Sequence, residues 1–218
     1  MEKTFNIGNF VEFAGCAQCK EKKCLPGAEE DRKACPRYEH FKNVNITDKY
    51  VSFWGGVFSN FYPCKIHFGG SEKFHLTECD FKSSEQYFMW LKATFFDDSI
   101  TAREILNAKT PKEAKRLGRQ VIGFDEKEWE EVREDMMYTA VYQKFKQNPE
   151  LCRYLINPVT ETRHFVEASK FDRIWGIGLG FGEDDDLICD EKNWLGQNLL
   201  GKVLDKVRLT LITEKMVK

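Results

Sequence analysis

Apolar and polar positions run in short alternating stretches early in the chain and settle into helical spacing after residue 83. Tyr50-Val51-Ser52-Phe53-Trp54, Cys64-Lys65-Ile66-His67-Phe68 and Phe74-His75-Leu76-Thr77 read as short strands. The Gly69-Gly70 pair between the last two predicts a hairpin. Ser83-Ser84-Glu85-Gln86 opens a helix as a capping box, with Ser83 as cap and Gln86 reaching back. A second short helix is expected over residues 99–108. Thr110-Pro111-Lys112-Glu113 supplies a cap, a proline at the first position and a glutamate at the third, and that helix should stop at Gly118. Asp125-Glu126-Lys127-Glu128 starts the longest helix. Its inner face is expected to carry Trp129, Val132, Met136, Ala140 and Val141, and Asn148-Pro149 ends it. A short helix is expected between Pro149 and Pro158, and a strand at Phe165-Val166-Glu167-Ala168. A last helix, about 197–211, should bury Leu200, Val203, Leu204, Val207 and Leu211. The fold class is α+β and predominantly helical, with a few short strands.

A small Cys-rich segment precedes this domain. Four of the eight cysteines, Cys16, Cys19, Cys24 and Cys35, fall in a C-x2-C-x4-C-x10-C spacing. We divide the chain into residues 1–45, the Cys-rich segment, and residues 46–214, the main domain. Four thiolates in so short a stretch suit a tetrahedral structural Zn. An iron–sulfur cluster uses the same ligand type, and unmetallated thiols are the third reading. His40 is near enough to replace one ligand. The other four cysteines read as small buried hydrophobes.

Charge narrows the function. Lys plus Arg number 33 against 35 Asp plus Glu, a net charge of −2. That balance argues against a protein that coats nucleic acid non-specifically, but leaves room for a local nucleotide site. No run approaches a membrane span. Met1-Glu2-Lys3-Thr4-Phe5 lacks the apolar core of a signal peptide, so a cytoplasmic setting with reduced thiols is expected.

The most informative stretch is Ser84 to Phe96. At about 100° per residue, Glu85, Met89, Lys92 and Phe96 share one face of a helix that is apolar nearly all round. Glu85 and Lys92 stand ~10 Å apart along the axis, too far for a simple ion pair and suited to two groups pointing into one pocket. The bland alternative is that each is satisfied elsewhere. Glu167 and Asp172 precede the Trp175-Gly176-Ile177-Gly178 turn, an arrangement able to offer carboxylates to a sugar and an aromatic face to a base. It is equally compatible with ordinary loop capping. The glycines follow G-x-G-x-G, not a dinucleotide-binding fingerprint. Arg119, after Gly118, is either a phosphate clamp or a cation at a helix C-terminus.

Together these pieces resemble the NADAR family, the YbiA-like N-glycosidases, over about residues 50–212. The motifs are Phe53-Trp54-Gly55-Gly56 with Phe58-Ser59-Asn60-Phe61-Tyr62-Pro63, Ser84-Glu85-Gln86-Tyr87-Phe88 to Lys92-Ala93, and Ala114-Lys115-Arg116-Leu117-Gly118-Arg119. Lys144-Phe145, Glu167-Ala168-Ser169 with Asp172 and Trp175-Gly176-Ile177-Gly178, and Trp194-Leu195-Gly196-Gln197-Asn198-Leu199-Leu200-Gly201 follow in order. The Cys-rich segment lies outside the match. The resemblance implies cleavage of an N-glycosidic bond to ribose. The substrate is then ADP-ribose on guanine, in DNA, RNA or a nucleotide, or else a phosphorylated riboflavin-pathway intermediate; a module that binds ADP-ribose or NAD without turnover is the third possibility. Glu85 is the first candidate to stabilise the oxocarbenium ion or activate water, and Asp172 the second. Lys92 either acts as a cation or, neutral, attacks the opened sugar to form a Schiff base. Arg119 would bind diphosphate. Trp54, Phe61 and Trp175 would stack on base or ribose, and Ser59, Asn60, Gln197 and Asn198 would bond hydroxyls or base edges. Tyr87, Glu167 and Gly176 complete the implied substrate site. Asn198 has a second reading as a helix cap, and Trp54 as core.

Overall fold

A computed structural model describes residues 42–72 and 75–216. The expected ligands Cys16, Cys19, Cys24 and Cys35 lie outside the described residues. The described chain forms two units, one running to Ser59 and resuming at Arg153, the other spanning Asn60–Cys152.

The first unit is built on a three-stranded sheet of order β1 (Val44–Ile46), β2 (Tyr50–Phe53) and β5 (His164–Glu167). β1 runs antiparallel to β2, with Val44 opposite Phe53 and Ile46 opposite Val51. β5 runs parallel to β2, with Val51 opposite Phe165 and Phe53 opposite Glu167. A parallel neighbour needs a long crossover, and here more than a hundred residues of chain lie between the two strands. All four residues of β2 are buried, the pattern of a central strand covered on both faces. Phe58 joins Phe53 and Phe165, with ring centroids 5.8 and 4.7 Å away.

The terminal helix of this unit packs on β5 and runs Leu199–Met216, further than the expected end at 211. Leu200, Val203, Leu204, Val207 and Leu211 are all buried. The approach of this helix requires Gly201, because a Cβ there would stand 2.0 Å from the Phe165 carbonyl oxygen. Arg208 is buried on the same helix. Its guanidinium donates to the carbonyls of Thr160 and Arg163 and to the Asp205 carboxylate.

The second unit holds the hairpin β3 (Ile66–Phe68) and β4 (Cys79–Phe81), followed by α1 (Ser84–Phe95), α2 (Ser99–Asn107), α3 (Pro111–Gly118) and α4 (Glu126–Gln147). Helix α5 (Pro149–Leu155) follows α4, and α6 (Pro158–Glu161) precedes β5. The hairpin differs from expectation. Its second strand is Cys79–Phe81, paired Ile66 to Phe81 and Phe68 to Cys79. Leu76 makes only an isolated bridge to Ser71. Phe81 earns the pairing because it brings its ring 4.5 Å from Tyr87 and 5.4 Å from Trp90 of α1.

Helix α1 packs against α2, α3 and α4. The three expected caps form: Ser83, Thr110 and Asp125 accept from the amides of Gln86, Glu113 and Glu128. Gln86 reaches back one residue further than a capping box requires, accepting from the Lys82 amide at 2.8 Å. On α4, Trp129, Ala140 and Val141 are buried as expected, and two positions of the inner face differ. Arg133 and Met137 are buried where Val132 and Met136 were expected, and Lys144 is buried beside Phe145. Among the described residues, no helix is long and apolar enough to cross a membrane.

Candidate active site

The second unit sets Glu85 at the start of α1. Its backbone amide donates to the Asn60 carbonyl at 3.0 Å. The Ser84 hydroxyl donates to Asn60 Oδ1 at 3.0 Å, and Asn60 Nδ2 lies 3.1 Å from Met137 Sδ. Asn60 is therefore spent on fixing the first turn of α1 against α4. Glu85 is only 4% exposed. Its carboxylate sits in the first helical turn, where the helix dipole favours negative charge.

Two turns on, Lys92 is half-buried. Its Nζ donates to the Gly118 carbonyl at 3.1 Å and lies 3.8 Å from the Phe124 ring centroid and 5.4 Å from that of Trp129. Burial lowers the Lys92 pKa, and nearby Glu126 acts the other way. Gly118 ends α3 where the sequence placed the stop, and its missing side chain is used: a Cβ would stand 2.1 Å from Met89 Sδ. Glu85, Met89 and Lys92 thus lie on one face of α1 as the spacing predicts, with the Gly118 carbonyl at the end of α3 receiving the ammonium. Arg119 follows as the exposed C-cap of α3. Phe61 is partly exposed, with Lys115 Nζ 5.7 Å from its ring. Tyr87 belongs to the aromatic cluster of Phe68, Phe81 and Trp90, and burial pushes its phenol up to about 12.

The first unit gathers most of the other expected residues in two facing loops. The Glu167 amide donates to Asn198 Oδ1 at 3.1 Å, and Asn198 Nδ2 donates to the Phe165 carbonyl at 2.9 Å. The Asn198 amide donates to the Gly176 carbonyl, and the Gln197 amide to that of Arg173. Asp172 Oδ1 accepts from the amides of Ile174 and Trp175 at 3.1 and 2.8 Å, the capping geometry of a tight turn. Trp175 is half-buried and Gly176 buried. Trp54 stands at the end of β2 with 58% exposure, so it is not core. The Ser59 amide donates to the Gly56 carbonyl.

Through its side chain, Asn198 ties the start of the last helix to β5. Its φ of +53° is left-handed, a conformation asparagine tolerates. Its side chain bonds both an amide and a carbonyl of the β5 backbone. Asn198→Ala loses both bonds and places a Cβ-bearing apolar residue at positive φ. We expect a stability loss of about 2–4 kcal/mol, measured by urea denaturation.

Among the described residues, no group of three or more His, Cys, Asp or Glu side chains is placed to hold a metal ion. A family model of the NADAR domain matches residues 52–212. The chain belongs to the NADAR domain family. It is 41% identical over 183 residues to Protein irg-1 of Caenorhabditis elegans, across 79% of this chain and 84% of that one. It is 36% identical over 171 residues to N-glycosidase R617 of Acanthamoeba polyphaga mimivirus, across 74% of this chain and 96% of the relative. Among solved structures, the NMR structure of the E. coli protein YbiA matches with a TM-score of 0.59 at 28% identity, covering 82% of this chain and 94% of that one.

Helix α4 of the NADAR domain buries two cations outside its expected inner face, Arg133 and Lys144. Both were open to detection: Arg133 continues the i, i+4 row of Trp129 and Met137, and Lys144 sits next to Phe145. Lys144 lies 5.1 Å from the Phe145 ring and 5.7 Å from that of Tyr62. Burial lowers its pKa to about 8, against a smaller opposing effect of Cys64. The unfolded chain keeps this proton up to its ordinary value of 10.5, so between about pH 8 and 10.5 it binds more protons than the folded one. Stability should therefore rise with pH across that window, by about 3 kcal/mol from this group. The difference between wild type and Lys144→Met in denaturation free energy, followed from pH 7 to 10.5, isolates it.

Proposed function

We propose that this NADAR domain is an N-glycosidase that breaks the bond between ribose C1′ and a base nitrogen, and that its substrate is ADP-ribose attached to guanine in a nucleic acid or nucleotide. The single observation that carries the reading is the pairing of Glu85 and Lys92 on one face of α1, a buried carboxylate and a desolvated amine. The relative named N-glycosidase R617 supports the reaction class. As the C1′–N bond breaks, its electron pair goes to the base nitrogen, which takes a proton. Positive charge grows on C1′ and the ring oxygen. A carboxylate next to that centre stabilises the charge and accepts a proton from whatever attacks. In our reading Glu85 does this. Lys92, neutral in the fraction its burial favours, attacks C1′ as the base leaves and passes a proton to Glu85; the ring C1′–O bond then opens as the protonated imine forms, the ring oxygen taking that proton, and water adding to the imine releases Lys92 and the sugar. Arg119, exposed next to the Gly118 carbonyl that holds Lys92, is the candidate for the diphosphate.

The substrate is tested by giving the enzyme two compounds together, an oligonucleotide carrying ADP-ribosyl-guanosine and a phosphorylated ribosylamino-pyrimidine. Preferred cleavage of the first is expected. Cleavage of the second alone moves the activity to riboflavin-pathway intermediates. Binding of ADP-ribose with neither cleaved leaves a binding module.

A further inference from the structure

Among the described residues of the second unit, Arg133 is a strongly buried charge that the proposed reaction leaves unused and whose hydrogen bonds are incomplete. Its side chain is nine-tenths buried on α4. Nη1 pairs with Glu130 at 3.2 Å and lies 3.9 Å from Glu126. Both carboxylates are more than half exposed, so they hold the solvent end of the guanidinium. Nε is buried and donates to no acceptor among the described residues. A buried N–H without an acceptor is costly, and native structures retain few of them.

The surroundings say what kind of acceptor fits. Glu126, which approaches Arg133, also acts on the Lys92 ammonium. Trp129 is one helical turn before Arg133, and its ring lies 5.4 Å from Lys92 Nζ. Glu126 thus acts on both Arg133 and Lys92, whose helices pack together. The unfilled edge of the Arg133 guanidinium asks for an anion that accepts hydrogen bonds at fixed angles. Phosphate does this, because its oxygens match the planar fork of arginine.

We propose that Arg133 is a phosphate anchor of the substrate site, its Nε–H bonding a phosphate oxygen of the phosphoribosyl group while Lys92 is left to the sugar carbon. The assignment of that phosphate to a ribosyl substrate rests on the glycosidase reading; the anion site itself does not.

The test uses the full chain labelled with 15N-arginine. The Arg133 Nε–H signal is assigned by its loss in Arg133→Lys, and ribose, ribose 5-phosphate and ADP-ribose are titrated separately. Ribose 5-phosphate or ADP-ribose should shift that signal and ribose should not; the two phosphate arms separate a terminal phosphate from a diphosphate. Arg133→Lys should weaken the phosphate ligand about tenfold or more. Glu130→Gln, which removes a competing carboxylate, should tighten it several-fold, an effect that a purely structural Arg133–Glu130 pair does not produce. A stationary Arg133 signal with both phosphates, unchanged affinity in Arg133→Lys, or weaker binding in Glu130→Gln would each overturn the proposal. Base release is measured on the same wild-type sample. Release with a silent Arg133 signal defeats this inference alone; a shifted signal without release of any base defeats the glycosidase reading and leaves the anion site standing.

Discussion

Lys92→Ala should lose on the order of 10³-fold or more in single-turnover base release, and with it the covalent adduct that borohydride traps in the wild type. The expectation follows from what surrounds the amine. Its hydrogen bond goes to the Gly118 carbonyl, and the Phe124 and Trp129 rings lie beside it. Burial is the larger effect and favours the neutral amine, against the opposing pull of Glu126. Lys92→Arg separates the two roles open to this residue. A guanidinium keeps the cation but cannot form an imine. If the amine is the nucleophile, Lys92→Arg is as inactive as Lys92→Ala and gives no adduct. Activity retained in Lys92→Arg would assign the residue an electrostatic part only. An adduct persisting in Lys92→Ala would place the nucleophile elsewhere, with the buried Lys144 the next amine to map.

Glu85→Gln should lower turnover by about 10²- to 10⁴-fold with little change in ligand affinity. The substitution keeps the volume and the hydrogen-bonding length of the side chain while removing its charge. The backbone bond from residue 85 to the Asn60 carbonyl is untouched, so the start of α1 stays fixed. A fall in kcat with KM unchanged is the signature of an interaction made in the transition state. If KM rises instead and kcat holds, Glu85 binds the ground-state sugar, and Asp172 becomes the leading candidate for the carboxylate.

The parts of this fold written in local chemistry were legible in the sequence. Ser83, Thr110 and Asp125 cap helices because a short side-chain oxygen there meets an amide three residues on, and such signals need no knowledge of distant contacts. The shared face of Glu85, Met89 and Lys92 follows from helical geometry in the same way. Strand pairing did not follow. The partner of Ile66–Phe68 was expected at 74–77, and the strand is Cys79–Phe81, because Phe81 packs on the helix that begins three residues later. β1 was missed: Val44-Asn45-Ile46 is three residues long and gains its identity only by pairing with β2. The inner stripe of α4 holds at Trp129, Ala140 and Val141, but the buried positions between them are Arg133 and Met137 in place of Val132 and Met136, because the stripe is drawn through apolar residues only. Spacing alone leaves Asn198 open between substrate contact and cap. Its left-handed backbone and its two bonds to β5 are features of three-dimensional structure that no spacing announces.

The bond that is broken decides the account most directly. Wild-type protein is incubated with an oligonucleotide bearing one ADP-ribosyl-guanosine, and the strand is weighed by intact mass spectrometry. A C1′–N glycosidase returns the strand to its unmodified mass and releases whole ADP-ribose. A strand that keeps a phosphoribosyl remnant reveals attack on the diphosphate, and would contradict the central claim.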